Sequence, residues 1–582
     1  MTAVPETAAG VVLARPDVSV LRTVEGVWVG VGAASFTVRG GAAFDLVSML
    51  LGRADGSRAG GELVEEFPEA ARPAATRLLG ALVRHGCVTL LPEPLSRHTA
   101  GKGPAAEWLI PQFAQLTGDP VRALDRLLAT PLLLYGCPAW LAGLRAVFDA
   151  TQLHGPRVEY RTAPGEPPPA DAEGTGLVVV DADALPHAEV VRLQDALLAR
   201  GVPHGVAGTV GGRYWTLWSD ESTTGCWDCL CRYGRARERG TAAAPVPVSA
   251  LAASLAHAIQ MRAAGLDTGA AVSLDPDALT AKPHPVWPLA GCRCPRATPP
   301  PADDRPGPAG ALPRPAAEPL VRRNIASPHD DPRLQDDNDR IVATLAAWTD
   351  DLIGPFLTLD GGDAPQVPFG RAQAAVLVDE GGDTARVREV HSATLSSREA
   401  LYQAALNAFE LLAAQPAGPG ARAVGAGWTR DEALYRALLR STLRLPHDEG
   451  ASAPFRVDDL GDDLGDDECA RAARYLAGAV ARATDRPPLE WTGSRLPNGL
   501  HRAAGHDGAG TPVTDGLGAC RAEAVCAALL RLVNDPGVLV AVQPHFTTWP
   551  EVWRHVAKPD GAVSLRHAAP FTGDRVHLVE VA

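Results

Sequence analysis

The length, composition and charge of this chain exclude several classes of protein. Its 582 residues exceed what one hydrophobic core usually supports, and 46% hydrophobic with 21% charged residues is ordinary globular usage, neither disordered nor fibrous. A net charge of −14 without a dense block of lysine and arginine argues against a nucleic-acid partner.

The chain shows no targeting or membrane signal in its sequence. Its start, MTAVPETAAG, lacks a basic segment followed by an apolar run, and no long uncharged apolar stretch follows. We therefore expect a cytoplasmic protein with no membrane partner. In a reducing compartment, the ten cysteines are metal ligands or buried thiols rather than disulfides.

The first predicted domain spans residues 1–95. Apolar residues alternate in VSVLRTVEGVWVGVG and ASFTVRG, which predicts a small antiparallel sheet of three strands. Helical spacing follows in AAFDLVSMLLG, GELVEEF and ARPAATRLLGALVRHG, before a last short strand, CVTLL.

Three further segments complete a multidomain α/β protein. In residues 108–297 short apolar strands alternate with helices, which predicts a mostly parallel sheet with helices on its faces. Residues 298–334 are rich in proline and predict a semi-extended linker. Residues 335–582 combine strands with several long helices, as in an α+β domain.

The first turn of the middle domain has the position of a nucleotide-binding loop. Gly136 ends an apolar strand and Gly143 lies in the following helix, but Cys137, Pro138 and Trp140 occupy the turn. A dinucleotide loop needs glycine at three places so that the backbone can approach phosphate. Trp140 would block that approach, and the next strand offers only Glu159 for a ribose. We therefore predict that no nucleotide binds here.

Four cysteines of the middle domain form two chelating pairs. Cys226 and Cys229 lie in GCWDCL, and Cys292 and Cys294 lie in GCRCP. Four thiolates complete the tetrahedral shell of zinc and leave no position for water or substrate, so the predicted site is structural. Cys231 is an alternative ligand, and buried or redox-active thiols are the alternative to a metal site.

An acidic run at 458–468, DDLGDDLGDDE, matches no EF-hand spacing. We interpret it as a solvated loop rather than a calcium site.

The order of motifs from GLVVVD through ESTTGCWDCLCRYGRAR to GCRCP resembles the ThiF-like domain of proteins that mature thiazole- and oxazole-containing peptides. The resemblance covers about 190 residues of the middle domain, and it implies that the two cysteine pairs hold structural zinc. It also agrees with the altered glycine turn, because these family members have generally lost adenylation.

Residues 17–92 resemble the small winged-helix module, similar to PqqD, that recognises leader peptides of ribosomally made peptides. The family binds its leader as an added strand between the third strand and the third helix. The matching positions are apolar, glycine and arginine residues, for which a role in the core or at the surface is the alternative: Phe36, Val38, Gly40, Leu78, Leu82 and Arg84.

The C-terminal segment, 335–582, resembles a YcaO domain that has lost its metal ligands. Active YcaO enzymes hold ATP and magnesium with glutamates repeated on helices, and magnesium needs carboxylate oxygens. At the matching positions Asn407 replaces one glutamate and Glu410 remains, while Arg440, Leu443 and Arg531 occupy others. Arginine is always charged and would repel the metal. The resemblance thus implies that this chain does not bind ATP and Mg²⁺.

These resemblances predict a non-catalytic partner protein of the kind found in thiopeptide and linear azole antibiotic pathways. It would bind the leader of a precursor peptide and present it to an active YcaO cyclodehydratase, which makes azolines from Cys, Ser or Thr with ATP. Three alternatives remain open: a self-sufficient fused cyclodehydratase, a ThiF-like adenylating enzyme, and an unrelated zinc-stabilised binding protein. The oligomeric state is left open, with a homodimer among the options.

Overall fold

A computed structural model of the chain describes most of its residues, in these ranges: 8–32, 34–153, 157–163, 176–219, 225–235, 248–266, 271–289, 292, 332–363, 365–379, 385–413, 423–444, 452–460, 467–535, 537–541, 549–557, 563–566 and 575–581. They form two compact units. The first unit comprises Met1–Thr223 and Ala242–Pro283, and the second comprises Thr224–Thr241 and His284–Ala582.

The described residues of the N-terminal part of the first unit form six strands and three α-helices: β1 (Val11–Ala14), β2 (Ser19–Thr23), β3 (Gly26–Val31), β4 (Ala34–Arg39), α1 (Ala43–Arg53), β5 (Asp55–Ala59), α2 (Gly60–Glu65), α3 (Arg72–Arg84) and β6 (Val88–Leu91). The strands β2, β3 and β4 form an antiparallel meander, and β1 pairs with β5 and β6. The three predicted strands, three helices and last strand are thus present, whereas the winged-helix assignment stays a prediction.

Two short strands here escaped the sequence pattern. β5, with the sequence DGSRA, has no apolar alternation, and β1 is only four residues long. Both are strands because they pair with each other and with β6, far along the chain. The sequence pattern within one short segment does not predict pairing with a strand that lies far along the chain.

The rest of the first unit is built around one sheet, and the chain continues into one helix of the second unit (α9): α4 (Leu95–Thr99), α5 (Ala105–Phe113), α6 (Pro120–Ala129), β7 (Leu132–Gly136), α7 (Pro138–Thr151), β8 (Val158–Thr162), β9 (Leu177–Asp181), α8 (His187–Ala199), β10 (His204–Val210), β11 (Arg213–Ser219), α9 (Trp227–Arg235), α10 (Val248–Ala263), β12 (Ala271–Leu274) and β13 (Ala281–His284). The strand order is β13-β12-β11-β10-β9-β7-β8.

This sheet is mixed rather than mostly parallel, which corrects the prediction. The strands β8, β7, β9 and β10 are parallel, but β11 runs antiparallel to both β10 and β12. The reason is the link between β10 and β11, where Gly211 and Gly212 have φ values of 58° and 75°. A two-residue turn with positive φ at both positions makes a tight hairpin, and a hairpin makes neighbouring strands antiparallel.

The second unit continues with the following elements: α11 (Pro332–Ala347), β14 (Phe356–Asp360), β15 (Gly370–Asp379), β16 (Ala385–Thr394), α12 (Ser397–Ala413), β17 (Ala423–Gly427), α13 (Arg430–Leu443), β18 (Ala453–Phe455), α14 (Asp467–Thr484), β19 (Glu490–Arg495), β20 (His501–His506), β21 (Pro512–Gly518), α15 (Arg521–Arg531), α16 (Trp549–His555), β22 (Val563–Arg566) and β23 (His577–Val581). Its strands form the sheets β14-β15-β16, β17-β23-β22 and β18-β19-β20-β21.

The predicted linker and the acidic run lie largely outside the described residues. Of the linker 298–334, the last three residues are described, and they begin α11. Of the acidic run, Asp458, for example, forms an ion pair with Arg456. Among the helices of the described part, none is both long enough and apolar enough to span a bilayer.

Three helices of the second unit begin with a side-chain cap at the N-terminus. The backbone N–H of Glu399 in α12 donates to Ser396 Oγ, that of Glu432 in α13 to Thr429 Oγ1, and that of Glu523 in α15 to Cys520 Sγ. A side chain at this position satisfies a backbone donor that the helix leaves open. Helix caps therefore place three glutamates at equivalent buried positions.

Buried tyrosines link these helices in sequence. The Tyr402 hydroxyl of α12 donates to Glu432 of α13, and the Tyr435 hydroxyl of α13 donates to Glu523 of α15, each at 2.6 Å. Gly425 of β17 allows α13 to lie close, because a Cβ there would be 2.2 Å from the Ala433 carbonyl oxygen. The helices are thus held side by side with their polar residues facing one another.

Candidate functional site

Three of the four predicted zinc ligands lie together in the second unit. Cys226 precedes α9 and Cys229 lies in its first turn, so one turn of helix brings both thiols to one side. Their Sγ atoms are 3.6 Å apart, and Cys226 Sγ is 3.5 Å from Cys292 Sγ. Sulfurs bound to one tetrahedral zinc ion at about 2.3 Å lie about 3.8 Å apart. The spacing therefore fits a zinc ion.

The surroundings of these thiols suit a thiolate site. The backbone N–H of Leu289 donates to Cys229 Sγ at 3.3 Å, a contact that stabilises a metal-bound sulfur and fixes its orientation. Cys226 and Cys229 are buried and Cys292 is partly buried. Cys294 lies outside the described residues. In the described part of the chain, the group within reach of one ion contains Cys226, Cys229 and Cys292 but not Cys231.

The glycine turn of the first unit is filled by its own side chains. A Cβ on Gly136 would lie 2.6 Å from the Trp140 ring, and the Trp140 indole donates to the Tyr214 hydroxyl at 3.0 Å. The backbone N–H of Cys137, which would face a phosphate, donates instead to Asp181 Oδ2 at 3.1 Å. Burial raises the pKa of this carboxyl group. Glu159 on β8 forms an ion pair with Arg161.

The predicted leader-binding residues separate into surface and core. Phe36 and Val38 lie half-buried on β4, an outer strand of the meander among the described residues, and Gly40 follows in the exposed turn. Leu78 and Leu82 of α3 are buried in the hydrophobic core of the N-terminal module, so their side chains are not part of its exposed surface. Strand addition at β4 stays a prediction.

One aromatic contact joins β4 to the end of α3. The rings of Phe36 and His85 stack, with centroids 4.2 Å apart, and both Arg84 and His85 are exposed. The stacked pair forms a flat apolar surface beside β4. The sequence pattern did not single out His85, because it lies beyond the last periodic position of the helix.

Glu410, the carboxylate that remains at the positions matched in the C-terminal segment, is paired with two arginines. Glu410 of α12 is buried, Arg436 of α13 is completely buried, and Arg440 lies one turn further along. Arg436 donates to both Glu410 oxygens, at 2.6 and 3.1 Å, and Arg440 donates to Oε2, with its Nε at 2.9 Å. The Ala426 backbone N–H also donates to Glu410 Oε1, at 3.0 Å.

The electrostatics of this cluster favour an ionised glutamate. Burial by itself would raise the pKa of Glu410, but the charges of Arg436 and Arg440 outweigh it and hold the pKa below its usual value. Two guanidinium groups and one carboxylate leave the cluster with positive charge. A cation bound at this carboxylate would have to displace hydrogen-bonded guanidinium groups from it.

The other positions singled out from the sequence have structural partners as well. Asn407 accepts from the Leu539 backbone N–H and donates to the Leu539 carbonyl, both at 2.8 Å. Arg440 Nη2 donates to Asn407 Oδ1 at 2.8 Å, and Arg531 forms an ion pair with Asp515 at 2.5 Å. None of these contacts places several carboxylate groups around one point, as a magnesium site requires.

Sequence reasoning missed Arg436, which is the centre of this network. It also donates to Gln403 Oε1 at 2.6 Å. A usable signal existed, because a charged residue in the middle of an otherwise apolar helix face predicts a buried partner. The partner, 26 residues earlier on another helix, was not readable from the local pattern.

Comparisons with known proteins add the fold. No family model and no curated protein matches the sequence. A heterocyclase solved in complex with substrate and cofactor superposes with a TM-score of 0.56 at 12% identity, covering 98% of this chain and 94% of that chain. The heterocyclase TruD gives 0.49 at 13% identity with the same coverage, and E. coli MccB gives 0.34 at 13% identity over 48% of this chain and 96% of its own. This protein is therefore a multidomain α/β chain that shares its fold with a heterocyclase over nearly its whole length.

Proposed function

We propose that this chain binds the leader peptide of a ribosomally made precursor and presents the precursor to a separate YcaO cyclodehydratase, which forms azolines from Cys, Ser and Thr. The proposal combines the fold shared with a heterocyclase and the family resemblances in the sequence. One observation carries the assignment of a non-catalytic role. Glu410, the carboxylate that remains at the matching positions, is bound by Arg436 and Arg440.

Magnesium binding explains why this contact matters. Mg²⁺ takes hard oxygen ligands in near-octahedral geometry, and it is normally held by carboxylates together with substrate phosphates. Asn407 and Arg440 replace two of the expected carboxylates. Arg440 also adds a fixed positive charge beside Glu410, the carboxylate that remains. This arrangement of arginine, asparagine and one paired glutamate supports a role in binding the precursor peptide and docking a partner enzyme rather than in ATP turnover.

The glycine turn argues against the adenylating alternative. Trp140 covers Gly136, and Asp181 takes the backbone donor at the start of α7. A nucleotide phosphate would meet a carboxylate where it needs an N–H group. We therefore do not expect this turn to bind the nucleotide that adenylation requires.

The cysteine site contributes a scaffold in this proposal. Zinc held by Cys226, Cys229, Cys292 and Cys294 would cross-link the start of α9 to the segment around residue 292. The ion would supply folding energy and no reaction chemistry, since four thiolates leave no open position.

Leader binding is tested at β4. We expect Phe36→Glu to weaken binding by at least tenfold, because it removes the stack with His85 and buries a charge where an apolar side chain of the peptide would lie. The measurement is fluorescence anisotropy with labelled leader peptides of candidate precursor peptides.

A matched control uses the opposite face of the same strand. Thr37→Glu introduces the same charge at an exposed position and should leave the affinity unchanged. Thermal melting of both variants checks that the module stays folded. Equal affinities for Phe36→Glu and the unaltered protein would contradict leader binding at this strand.

A second candidate function has its own support. The match to a heterocyclase covers 98% of this chain and 94% of that chain, which favours a self-sufficient fused cyclodehydratase. This alternative would need a nucleotide and metal site outside the Glu410 cluster.

One assay separates the two functions. The purified chain, incubated alone with precursor peptide and Mg-ATP, is expected to bind the peptide without releasing phosphate and without removing water from it. Mass spectrometry and a phosphate-release assay record the two reactions. Adding an active YcaO cyclodehydratase should start both. Dehydration of the peptide by the chain alone would overturn the partner role in favour of the fused enzyme.

A further inference from the structure

The strand β16 of the second unit has an exposed outer edge. Among the described residues it is an outer strand of the sheet β14-β15-β16, and it pairs with β15 in continuous antiparallel register, without a bulge. Residues 386–389 and 391 are exposed to solvent, and Val387 is 39% exposed. No proline interrupts this strand, although proline and bulges are common ways of protecting an exposed edge.

Asn534 occupies one end of this edge as a residue of a neighbouring strand would. Its Oδ1 accepts from the Ala393 backbone N–H at 2.6 Å, and its Nδ2 donates to the Ala393 carbonyl at 2.9 Å. Nδ2 also donates to the Leu530 carbonyl at 2.7 Å, which fixes the orientation of the amide. The backbone groups of Ala393 therefore point away from β15 and bind an amide group.

Three further residues of β16 present their backbone groups in the same direction. In an antiparallel pair, successive residues point these groups alternately to the two sides of the strand, so Val387, Glu389 and His391 share the orientation of Ala393. In the part of the chain that the structure describes, the N–H and C=O groups of these three residues make no hydrogen bond. Residues 387–391 thus form an open edge that can pair with another strand.

A second copy of the chain fits this open edge poorly. In a two-fold antiparallel pairing, outward-facing residues lie opposite outward-facing residues, so the axis passes through one residue of β16. An axis at one of residues 386–389 places two arginines or two glutamates directly opposite each other, which is destabilising. An axis at Val390 or His391 brings another residue of the strand opposite Ala393, whose backbone groups Asn534 already occupies.

We propose that the open edge of β16 binds an extended, neutral peptide segment as an added strand. Each outward-facing residue offers one backbone donor and one acceptor, and pairing with these groups supplies the affinity. The strand carries charge of both signs, with Arg386 and Arg388 on one face and Glu389 on the other. A peptide without charged side chains therefore meets no like charge on either face. The inference goes beyond the proposed function and does not depend on leader binding, which is assigned to β4 of the first unit.

Photo-cross-linking of the full-length chain tests the open edge. The probe is a short synthetic peptide of alternating threonine and serine, with a benzophenone at one end and no leader. We expect saturable cross-links to β16, located by mass spectrometry. Methyl groups on every second backbone nitrogen block one edge of the peptide and should leave cross-linking intact, whereas methyl groups on every nitrogen should abolish it, because no donor then remains for the strand.

A pair of variants tests the same edge from the side of the protein. Val387→Pro removes one outward N–H and should weaken binding by about fivefold or more, the factor that one lost hydrogen bond gives. The pairing of β15 with β16 does not use this N–H, so the melting curve should stay unchanged. The control, Val387→Ala, keeps the N–H and should bind as the unaltered chain does.

Phe36→Glu should leave the cross-linking unchanged, which separates this inference from leader binding. The proposal is overturned if no cross-link reaches β16, if the fully methylated peptide is captured as well as the unmethylated one, or if Val387→Ala weakens binding as much as Val387→Pro.

Discussion

Replacing Glu410 by glutamine is expected to destabilise the second unit by about 3–5 kcal/mol. Breaking a buried ion pair by removing one partner has this cost, because the other charge stays buried without compensation. Here Arg436, which is completely buried, would keep its charge against a neutral amide. Hydrogen exchange of peptides from residues 397–443, followed through a urea series, measures the effect within this unit.

Glu389→Gln is the matched control for that experiment. Its side chain is 65% exposed, so loss of its charge should change the exchange little. If Glu410→Gln changes the hydrogen exchange as little as the control does, the ion-pair network around Arg436 does not stabilise the second unit.

The same carboxylate gives a pH dependence of defined sign. Because the pKa of Glu410 is lower in the folded chain than its ordinary value of 4.5, the unfolded state binds the proton more readily. The stabilisation is therefore complete above that value and is lost as the pH falls towards the folded pKa. The stability difference between the unaltered chain and Glu410→Gln should shrink in this acid range.

Removing the cysteine site is expected to have the second large effect. The full chain should contain about one zinc ion, and Cys226→Ser should abolish zinc binding and unfold the region around α9. Structural zinc contributes about 10–16 kcal/mol to the folding of isolated zinc-finger peptides, which is comparable to the roughly 5–15 kcal/mol stability of a whole domain. Metal analysis of the purified protein and circular dichroism of the variant give the two measurements.

Cys231→Ser tests which thiols bind the ion. Cys231 lies in the same helix but outside the group within reach of one ion, among the residues that the structure describes. Zinc content should be unchanged in this variant and should fall in Cys294→Ser. The reverse pattern would make Cys231 the fourth ligand, and absence of zinc from the unaltered chain would leave a cluster of buried thiols.

Local pattern accounts for much of what could be predicted. Alternating apolar residues marked β3 and β4, helical spacing marked α1 and α3, and the Cys-x2-Cys spacing brought Cys226 and Cys229 together within one helical turn. Each of these features depends on residues within a few positions of one another. The mixed sheet was mispredicted because two glycines after β10 turned the next strand back, a choice that the apolar runs themselves do not encode.

The sequence by itself determined which side chains are available: thiols at two short spacings, a tryptophan in the glycine turn, and arginine or asparagine where the family that the C-terminal segment resembles has metal-binding carboxylates. Only the tertiary structure decided their partners. It joined Cys292 to Cys226 across 66 residues and Glu410 to Arg436 across 26 residues. The physical reason is that residue type and periodicity are local properties, whereas the pairing of charges and thiols depends on which helices and loops pack together in the folded chain.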